Sequence, residues 1–312
     1  MPLAAEYEAM LAELAETPGP ALHEMPLDES REVYRMMRPP NPELVVGNVE
    51  DRTIDGPAGA IAIRIYTPVG SGPFGILVNF HGGGWVIGDL DTADGVCRDF
   101  CASANCIVVS VDYRMAPEHP YPAAVVDSYA ATCWVADNAE SLGGNGKLAV
   151  GGESAGGNLA AVVSLKARDE AGPAIDFQLL AYPVVDADLS LASYQENGEG
   201  YLLTTETMTW FWDQYCPDLG KRAESDASPA QAENHAGLPP ALILTAEFDP
   251  LRDEGEAYAA TLKAAGVDAQ AIRFDGLIHD FLATAPLFPV SRDAFDKVAS
   301  LLSARLGSPA EE

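Results

Sequence analysis

Basic residues are scarce. Of 312 residues only 18 are Lys or Arg, against 47 Asp or Glu, which leaves a formal net charge of −29. Surface scaling for a chain of this size gives about 12,500 Å², or roughly one uncompensated negative charge per 430 Å². That field repels phosphate backbones and anionic lipid headgroups, which excludes nucleic acid and membrane surfaces as partners. It also keeps the chain soluble, and salt screens the self-repulsion it creates. No apolar run approaches the roughly 18 residues a membrane-spanning helix needs. A basic leader is missing as well. The first sixteen residues carry Glu6, Glu8, Glu13 and Glu16 with no Lys or Arg, the opposite of a secretory signal, and a cytoplasmic location is expected. The five cysteines (Cys97, Cys101, Cys106, Cys133, Cys216) are odd in number and include no Cys-x-x-Cys pair. They are expected as buried reduced thiols, not as zinc ligands or a disulfide framework.

What is present points to a folded α/β protein. Hydrophobic residues make up 48% and charged residues 21%, enough apolar surface for a sizeable core. Two helices are predicted at about 3–16 and 28–38, broken by Thr17-Pro18-Gly19-Pro20 and closed by Pro39-Pro40-Asn41-Pro42. Strand-like runs follow at 60–66 and 75–80. From there strands near 106–111, 147–151, 177–181, 241–246 and 269–274 alternate with helices near 122–138, 155–168, 251–265 and 291–305. Short apolar strands separated by helices imply a mostly parallel central sheet with helices on both faces. Residues 190–235 break that rhythm: they are polar, carry Trp210, Phe211 and Trp212, and contain no strand pattern. Together with residues 1–45 they are expected to form a helical cap, leaving 46–189 and 236–312 as the two parts of the core.

The chemistry is concentrated in a few segments. Gly152-Glu153-Ser154-Ala155-Gly156 lies between a predicted strand and a helix of small residues. A serine on such a tight turn presents its hydroxyl at the sheet's edge, and glycines two positions either side avoid a Cβ clash with the neighbouring strand and helix. The amide of Ala155 and the positive end of the helix sit where an oxyanion would form. A serine needs a base to take its proton and an acid to orient that base. Of five histidines, His23 and His235 fall in or beside the cap segments, and His81 and His119 precede the serine. The order Ser, acid, His of the α/β-hydrolase arrangement selects His279, in the loop after the last strand. Asp249, just beyond the strand 241–246, is the favoured acid, with Asp253 and Asp275 as competitors. His81-Gly82-Gly83-Gly84-Trp85 directly follows the strand 75–80, and consecutive glycines let backbone amides approach a substrate closely. A phosphate-binding loop is excluded, because Gly-Lys-Ser/Thr and Gly-x-Gly-x-x-Gly are both absent.

These motifs, in this order, resemble those of the bacterial hormone-sensitive-lipase-like esterases, lipolytic family IV of the α/β-hydrolase superfamily. The resemblance runs from about residue 60 to 283. It rests on His81-Gly-Gly-Gly-Trp85, Asp112-Tyr-Arg-Met-Ala-Pro-Glu-His119, Gly152-Glu-Ser-Ala-Gly-Gly157, Asp249-Pro-Leu-Arg-Asp-Glu-Gly255 and His279. It implies Ser154 as nucleophile, His279 as general base and then acid, and Asp249 as the orienting acid. Gly83, Gly84 and Ala155 would supply the oxyanion-hole amides, and neither metal nor cofactor is implied. Trp85, Tyr182 and Trp210 are candidates for an acyl or alcohol pocket, with ordinary core packing as the alternative. The stretch 112–119 and His81 are expected to fix loops. Position 153 is Glu where the family more often has Asp, and Asp280 stands where it usually has Gly. An acid beside the base favours imidazolium, so an alkaline optimum is expected.

The implied activity is that of a serine carboxylesterase on short- to medium-chain esters, with a small-molecule ester as the only partner required. A non-catalytic small-molecule binder on the same fold, or an amide or lactone hydrolase, are the alternatives. The presence of His279 argues against the binder. The resemblance also permits a homodimer through the last strand and helix of the core.

Overall fold

Strand residues with alternating sides set the architecture. The strands are β1 (Asn48–Gly56), β2 (Gly59–Thr67), β3 (Phe74–Phe80), β4 (Ile107–Asp112), β5 (Gly144–Glu153), β6 (Phe177–Ala181), β7 (Ala241–Phe248) and β8 (Ala269–Ile278). The helices are α1 (Ala5–Glu16), α2 (Leu27–Met37), α3 (Asp94–Ser103), α4 (Ala123–Asn138), α5 (Ala155–Asp169), α6 (Ala192–Asn197), α7 (Thr205–Tyr215), α8 (Arg252–Ala264) and α9 (Pro289–Leu306). The computed structural model describes residues 1–16 and 19–307. Thr17 and Pro18, half of the expected helix break, and residues 308–312 of the expected core lie outside the described residues.

The strands form one sheet in the order β1-β2-β4-β3-β5-β6-β7-β8. From β4 to β8 every pairing is parallel, whereas β2 runs antiparallel to both β1 and β4. Along β3, Ile76, Val78 and Phe80 face one apolar cluster with α4, α5 and α8, while Leu77 faces another with α3 and α9. Along β7 the same split separates Ala241 and Ile243 from Leu242, Leu244 and Ala246. Both faces of the sheet are thus covered, as period-two burial in a parallel sheet requires.

Two elements depart from the sequence pattern. β1 reads Asn-Val-Glu-Asp-Arg-Thr-Ile-Asp-Gly, and only Ile54 is buried. An edge strand open to water needs no apolar alternation, and charged side chains there deter further pairing. α3 opens without a side-chain cap and buries Asp94 and Asp99 among its apolar residues, which hides its amphipathic pattern. The two carboxylates are matched by Arg98 and Arg292.

Residues 190–235 contain α6, α7 and two 3₁₀ turns, with no strand. The N-terminal segment contacts several regions. At one end, His23 Nδ1 lies 3.0 Å from Thr207 Oγ1 on α7. At the other, the residues before α1 meet the ends of the last two strands: the Ala4 amide donates to Gly276 O of β8 at 2.9 Å, and the terminal ammonium meets Glu247 of β7. All five cysteines are free, and all but the half-buried Cys133 are buried. No described helix is long and apolar enough to cross a membrane.

Tyr7 pins α1. Its ring is fully buried, packed edge-on against Phe288, and its hydroxyl lies 2.6 Å from Thr284 Oγ1 and 2.7 Å from Ser291 Oγ. Tyr7→Ala is expected to destabilise the protein by about 3–5 kcal/mol. Tyr7→Phe should cost only about 1 kcal/mol, because Thr284 and Ser291 keep each other at 3.0 Å. Urea unfolding of the two variants checks this, and equal losses would show that the hydroxyl, not the ring, holds the helix.

Candidate active site

Close packing of backbone makes the serine turn. β5 ends at Glu153 and α5 begins at Ala155, so Ser154 spans the junction, with φ 55° and ψ −116°. This strained conformation is held from outside: the Ser154 amide donates to Ala181 O at 2.9 Å, and its carbonyl accepts from the Asn158 amide at 3.0 Å. A Cβ at Gly152 or at Gly156 would overlap the carbonyl of Phe80 on the neighbouring β3. Only glycine at both places lets α5 start directly against that strand. Ser154 is left with 8% of its surface exposed, at the C-terminal edge of the sheet.

β3 ends beside it and delivers the glycine loop. A Cβ on Gly82 would stand 3.2 Å from Glu153 O and 3.7 Å from Ser154 Cβ, so the loop runs along the serine turn. Gly83 and Gly84 have φ of +105° and +58°, and the Gly83 carbonyl is taken by the amides of Val86 and Ile87. The amides of Gly83 and Gly84 themselves have no protein acceptor among the described residues. As the first residue of α5, Ala155 has no carbonyl of its own helix to donate to. His81 is buried and stacked on Tyr113, and its Nδ1 donates to Gly82 O at 2.7 Å. Burial pushes its imidazole down to about 4, so it is a neutral fixture of the loop.

β7 and β8 deliver the other pair. Asp249 is fully buried: Oδ1 accepts the Leu251 amide at 2.8 Å, and Oδ2 accepts from His279 Nδ1 at 2.8 Å. Burial pushes the His279 imidazole down. The Asp249 carboxylate and its hydrogen bond, with Asp280 beside it, more than reverse that and leave it above the usual value of 6.5. The competing acids are elsewhere. Asp253 accepts the Ser193 amide and Arg252 Nε, and Asp275 is exposed. Among the other histidines, His23 meets α7, His119 is exposed and His235 Nε2 lies 2.9 Å from Pro229 O.

Of the three aromatics considered for a pocket, two have no exposed surface. Trp85 is stacked on Tyr215 at 4.0 Å and tilted against Trp212, bonding the glycine loop to α7. Tyr182 lies edge-on to His279 at 4.8 Å and to Phe281 at 5.2 Å, beneath the imidazole. Trp210 is half-buried against Phe211, and Phe211 fills the space where a Gly84 side chain would stand. A cavity of about 850 Å³ opens between the N-terminal segment and α6–α7, lined by residues including His23, Tyr194, Glu196, Thr204 and Thr209. Among the described residues no group of three or more His, Cys, Asp or Glu side chains is arranged to hold a metal ion.

The stretch 112–119 holds loops in place. Arg114 forms a forked pair with Asp127 at 2.7 and 2.8 Å, and Glu118 takes Arg31 of α2. Tyr113 OH donates to His81 O at 2.8 Å. Arg38, which the sequence reading passed over, bridges Glu153 and Asp280. The signal for it was present: two extra carboxylates beside the site, in a chain this poor in cations, require a buried positive partner.

Residues 77–283 match a protein family described by its α/β hydrolase fold. The esterase LipI of Mycobacterium tuberculosis is 44% identical over 83% of this chain and 82% of that protein. Carboxylesterase NlhH of the same species is 42% identical over 86% of each. Among solved structures, a thermostable esterase from Pseudomonas putida ECU1011 superposes with a TM-score of 0.93 at 40% identity, covering 99% of both chains.

Gly84→Ala should cost about 1–3 kcal/mol of stability, since the new methyl meets the Phe211 ring in a left-handed backbone. Phe211→Ala in the same chain should recover part of that loss relative to the sum of the single changes. Denaturant unfolding of the cycle measures it, and strict additivity would mean that the two positions do not compete for space.

Proposed function

The chain belongs to the α/β-hydrolase fold family, in its hormone-sensitive-lipase-like esterase branch, and from that membership we propose a serine carboxylesterase acting through an acyl-enzyme. The observation that carries the proposal is the buried Asp249–His279 hydrogen bond of 2.8 Å, at the same sheet edge as a serine held at positive φ. Asp249, its second oxygen fixed by the Leu251 amide, orients the ring and keeps the proton on Nδ1. That leaves Nε2 as the acceptor.

In the first half-reaction Ser154 Oγ bonds to the ester carbonyl carbon, and His279 takes the hydroxyl proton. The carbonyl oxygen becomes an oxyanion that the amides of Gly83, Gly84 and Ala155 receive. Each donor is worth about 3–4 kcal/mol when aimed at that oxygen in a water-poor site. The carbon–oxygen bond to the alcohol then breaks, and His279 returns its proton to the leaving oxygen. Water repeats the sequence on the acyl-enzyme, releasing the acid and restoring Ser154. Besides the ester and water, these steps use only side chains and backbone amides of the chain. Residues 1–45 and 190–235 act together as the cap over this edge, with 46–189 and 236–312 as the hydrolase core.

p-Nitrophenyl esters from acetate to palmitate test the proposal. Turnover is expected to peak at short chains and to fall by at least about 10³-fold in Ser154→Ala. Undiminished turnover in that variant would move the nucleophile elsewhere.

The pH profile follows from the His279 environment. The base must be neutral to accept the serine proton, and its imidazole is held above the usual 6.5. The acidic limb of kcat/KM should therefore rise with a midpoint above 6.5, giving an alkaline optimum. Asp249→Asn removes the largest charge that raises it and should lower that midpoint together with kcat. A limb that stays in place would rule out Asp249 as its cause.

A further inference from the structure

One buried cation touches both sides of the site without entering the chemistry above. Arg38 closes α2, just before Pro39-Pro40, and its side chain is only 7% exposed. Its Nη2 donates to Glu153 Oε2 at 2.9 Å and to Asp280 Oδ1 at 2.6 Å, while Nη1 donates to Tyr34 OH at 2.8 Å. Glu153 immediately precedes Ser154, and Asp280, at φ +69°, immediately follows His279. One guanidinium thus ties together the backbone neighbours of the proposed nucleophile and the proposed base.

We propose that Arg38 is a positioning residue for ester hydrolysis, locking the serine turn to the histidine loop and shielding His279 from the Asp280 carboxylate. The proposal rests on the Ser154–His279–Asp249 reading given above. Charge-assisted bonds from a planar guanidinium carry both distance and direction, which a point charge does not. A misplacement of about 1 Å between reacting groups costs on the order of 100-fold in rate.

The electrostatic half follows from what faces His279. Asp249 approaches from the end of β7, Glu153 from the end of β5, Asp280 from the same loop and Arg38 from α2, with the Tyr182 ring beneath. Arg38 lowers the imidazole's proton affinity and Asp280 raises it. Without Arg38 the two carboxylates would respond differently. Glu153 has a side chain 5% exposed, and burial already pushes its carboxyl upward, so it would take a proton. Asp280, 32% exposed at its side chain, would then act on the imidazole with no cation to oppose it.

The test compares Arg38→Met, Arg38→Lys and Arg38→Met/Asp280→Asn by kcat, KM and pH profile on p-nitrophenyl acetate. In parallel, the His279 imidazole is titrated by NMR in the Ser154→Ala background. Arg38→Met is expected to lower kcat at least about tenfold with KM little changed. It should also move the acidic limb and the His279 titration up by about 0.5–1 pH unit. Adding Asp280→Asn should return the titration to its original position, and adding Glu153→Gln instead should not. Arg38→Lys, which keeps the charge and loses the fork, should lower kcat with the limb in place. A His279 titration unmoved by Arg38→Met, with only the melting temperature reduced, would overturn the proposal and leave Arg38 a structural strut. The imidazole titration reports without turnover, so failure of the esterase reading would show separately, as activity that survives Ser154→Ala.

Discussion

The site depends on how closely the backbone of α5 is allowed to approach β3. Phe80 and Gly152 are register partners on adjacent parallel strands, and a Cβ at Gly152 or Gly156 would overlap the Phe80 carbonyl. That contact has no slack, so the chain leaves β5 through a single strained residue and turns at once into the helix. Ser154 has no other exit from the strand. The same register ends β3 beside the turn, which is why Gly82 runs along Ser154 with ordinary van der Waals spacing. Two motifs more than seventy residues apart therefore meet because two neighbouring strands stop at the same level. The strands β7 and β8 stop at that edge too, and they contribute Asp249 and His279. Parallel strands with aligned ends do most of the assembly, and side-chain chemistry is added afterwards.

The electrostatics are harder to arrange than the geometry. A chain with 18 cations and 47 carboxylates places Glu153, Asp249 and Asp280 around one imidazole. Asp249 is useful there because its two oxygens are saturated, one by the Leu251 amide and one by His279. Among the described residues, Glu153 Oε1 is buried without a hydrogen-bond partner, and so is Arg38 Nε. An ion pair this buried recovers little net stability against its desolvation, so its value is in fixing an arrangement. Glu254 shows the alternative solution. Burial pushes its carboxyl up to about 8, yet the amides of Val185 and Asp186 and the Tyr194 hydroxyl surround it, tying α6 and the loop after β6 to α8.

Sequence made legible whatever is written in local periodicity or in motif order. Apolar runs such as Ile76 to Phe80 and Ala241 to Ala246 read as buried strands because both of their faces are covered. The His279–Asp249 pairing was readable because only His235 and His279 follow the serine turn, and Asp249 stands just beyond a strand run between Ser154 and His279. β1 was not, since an exposed edge strand imposes no apolar pattern on its residues. α3 was obscured by two buried aspartates among its apolar residues, one paired with Arg98 a turn further on and the other with the distant Arg292. Aromatic identity marked Trp85 and Tyr182 as important without saying which way either faces. Trp85 turns into α7, and Tyr182 supports the imidazole from below. Arg38 stayed hidden because its partners lie 115 and 242 residues away.

Those long separations have a common physical origin. Loops at the end of a parallel sheet carry carbonyls and carboxylates that no neighbouring strand can satisfy. Here the N-terminal helices reach across to supply the missing donors. Arg31 Nε donates to Val86 O at 2.9 Å, next to the glycine loop, and its Nη2 donates to Ala116 O at 3.0 Å. Arg38 does the same for the serine turn and the histidine loop, and the Ala4 amide does it for Gly276, three residues before the imidazole. Three of the four loops that build the site are therefore completed by residues from the first 38, a segment that contributes no strand to the sheet. A guanidinium suits this task better than an ammonium, because each must satisfy acceptors from two different segments at once. The scarcity of cations in this chain makes their placement informative: where an arginine is buried, two loops are being held together.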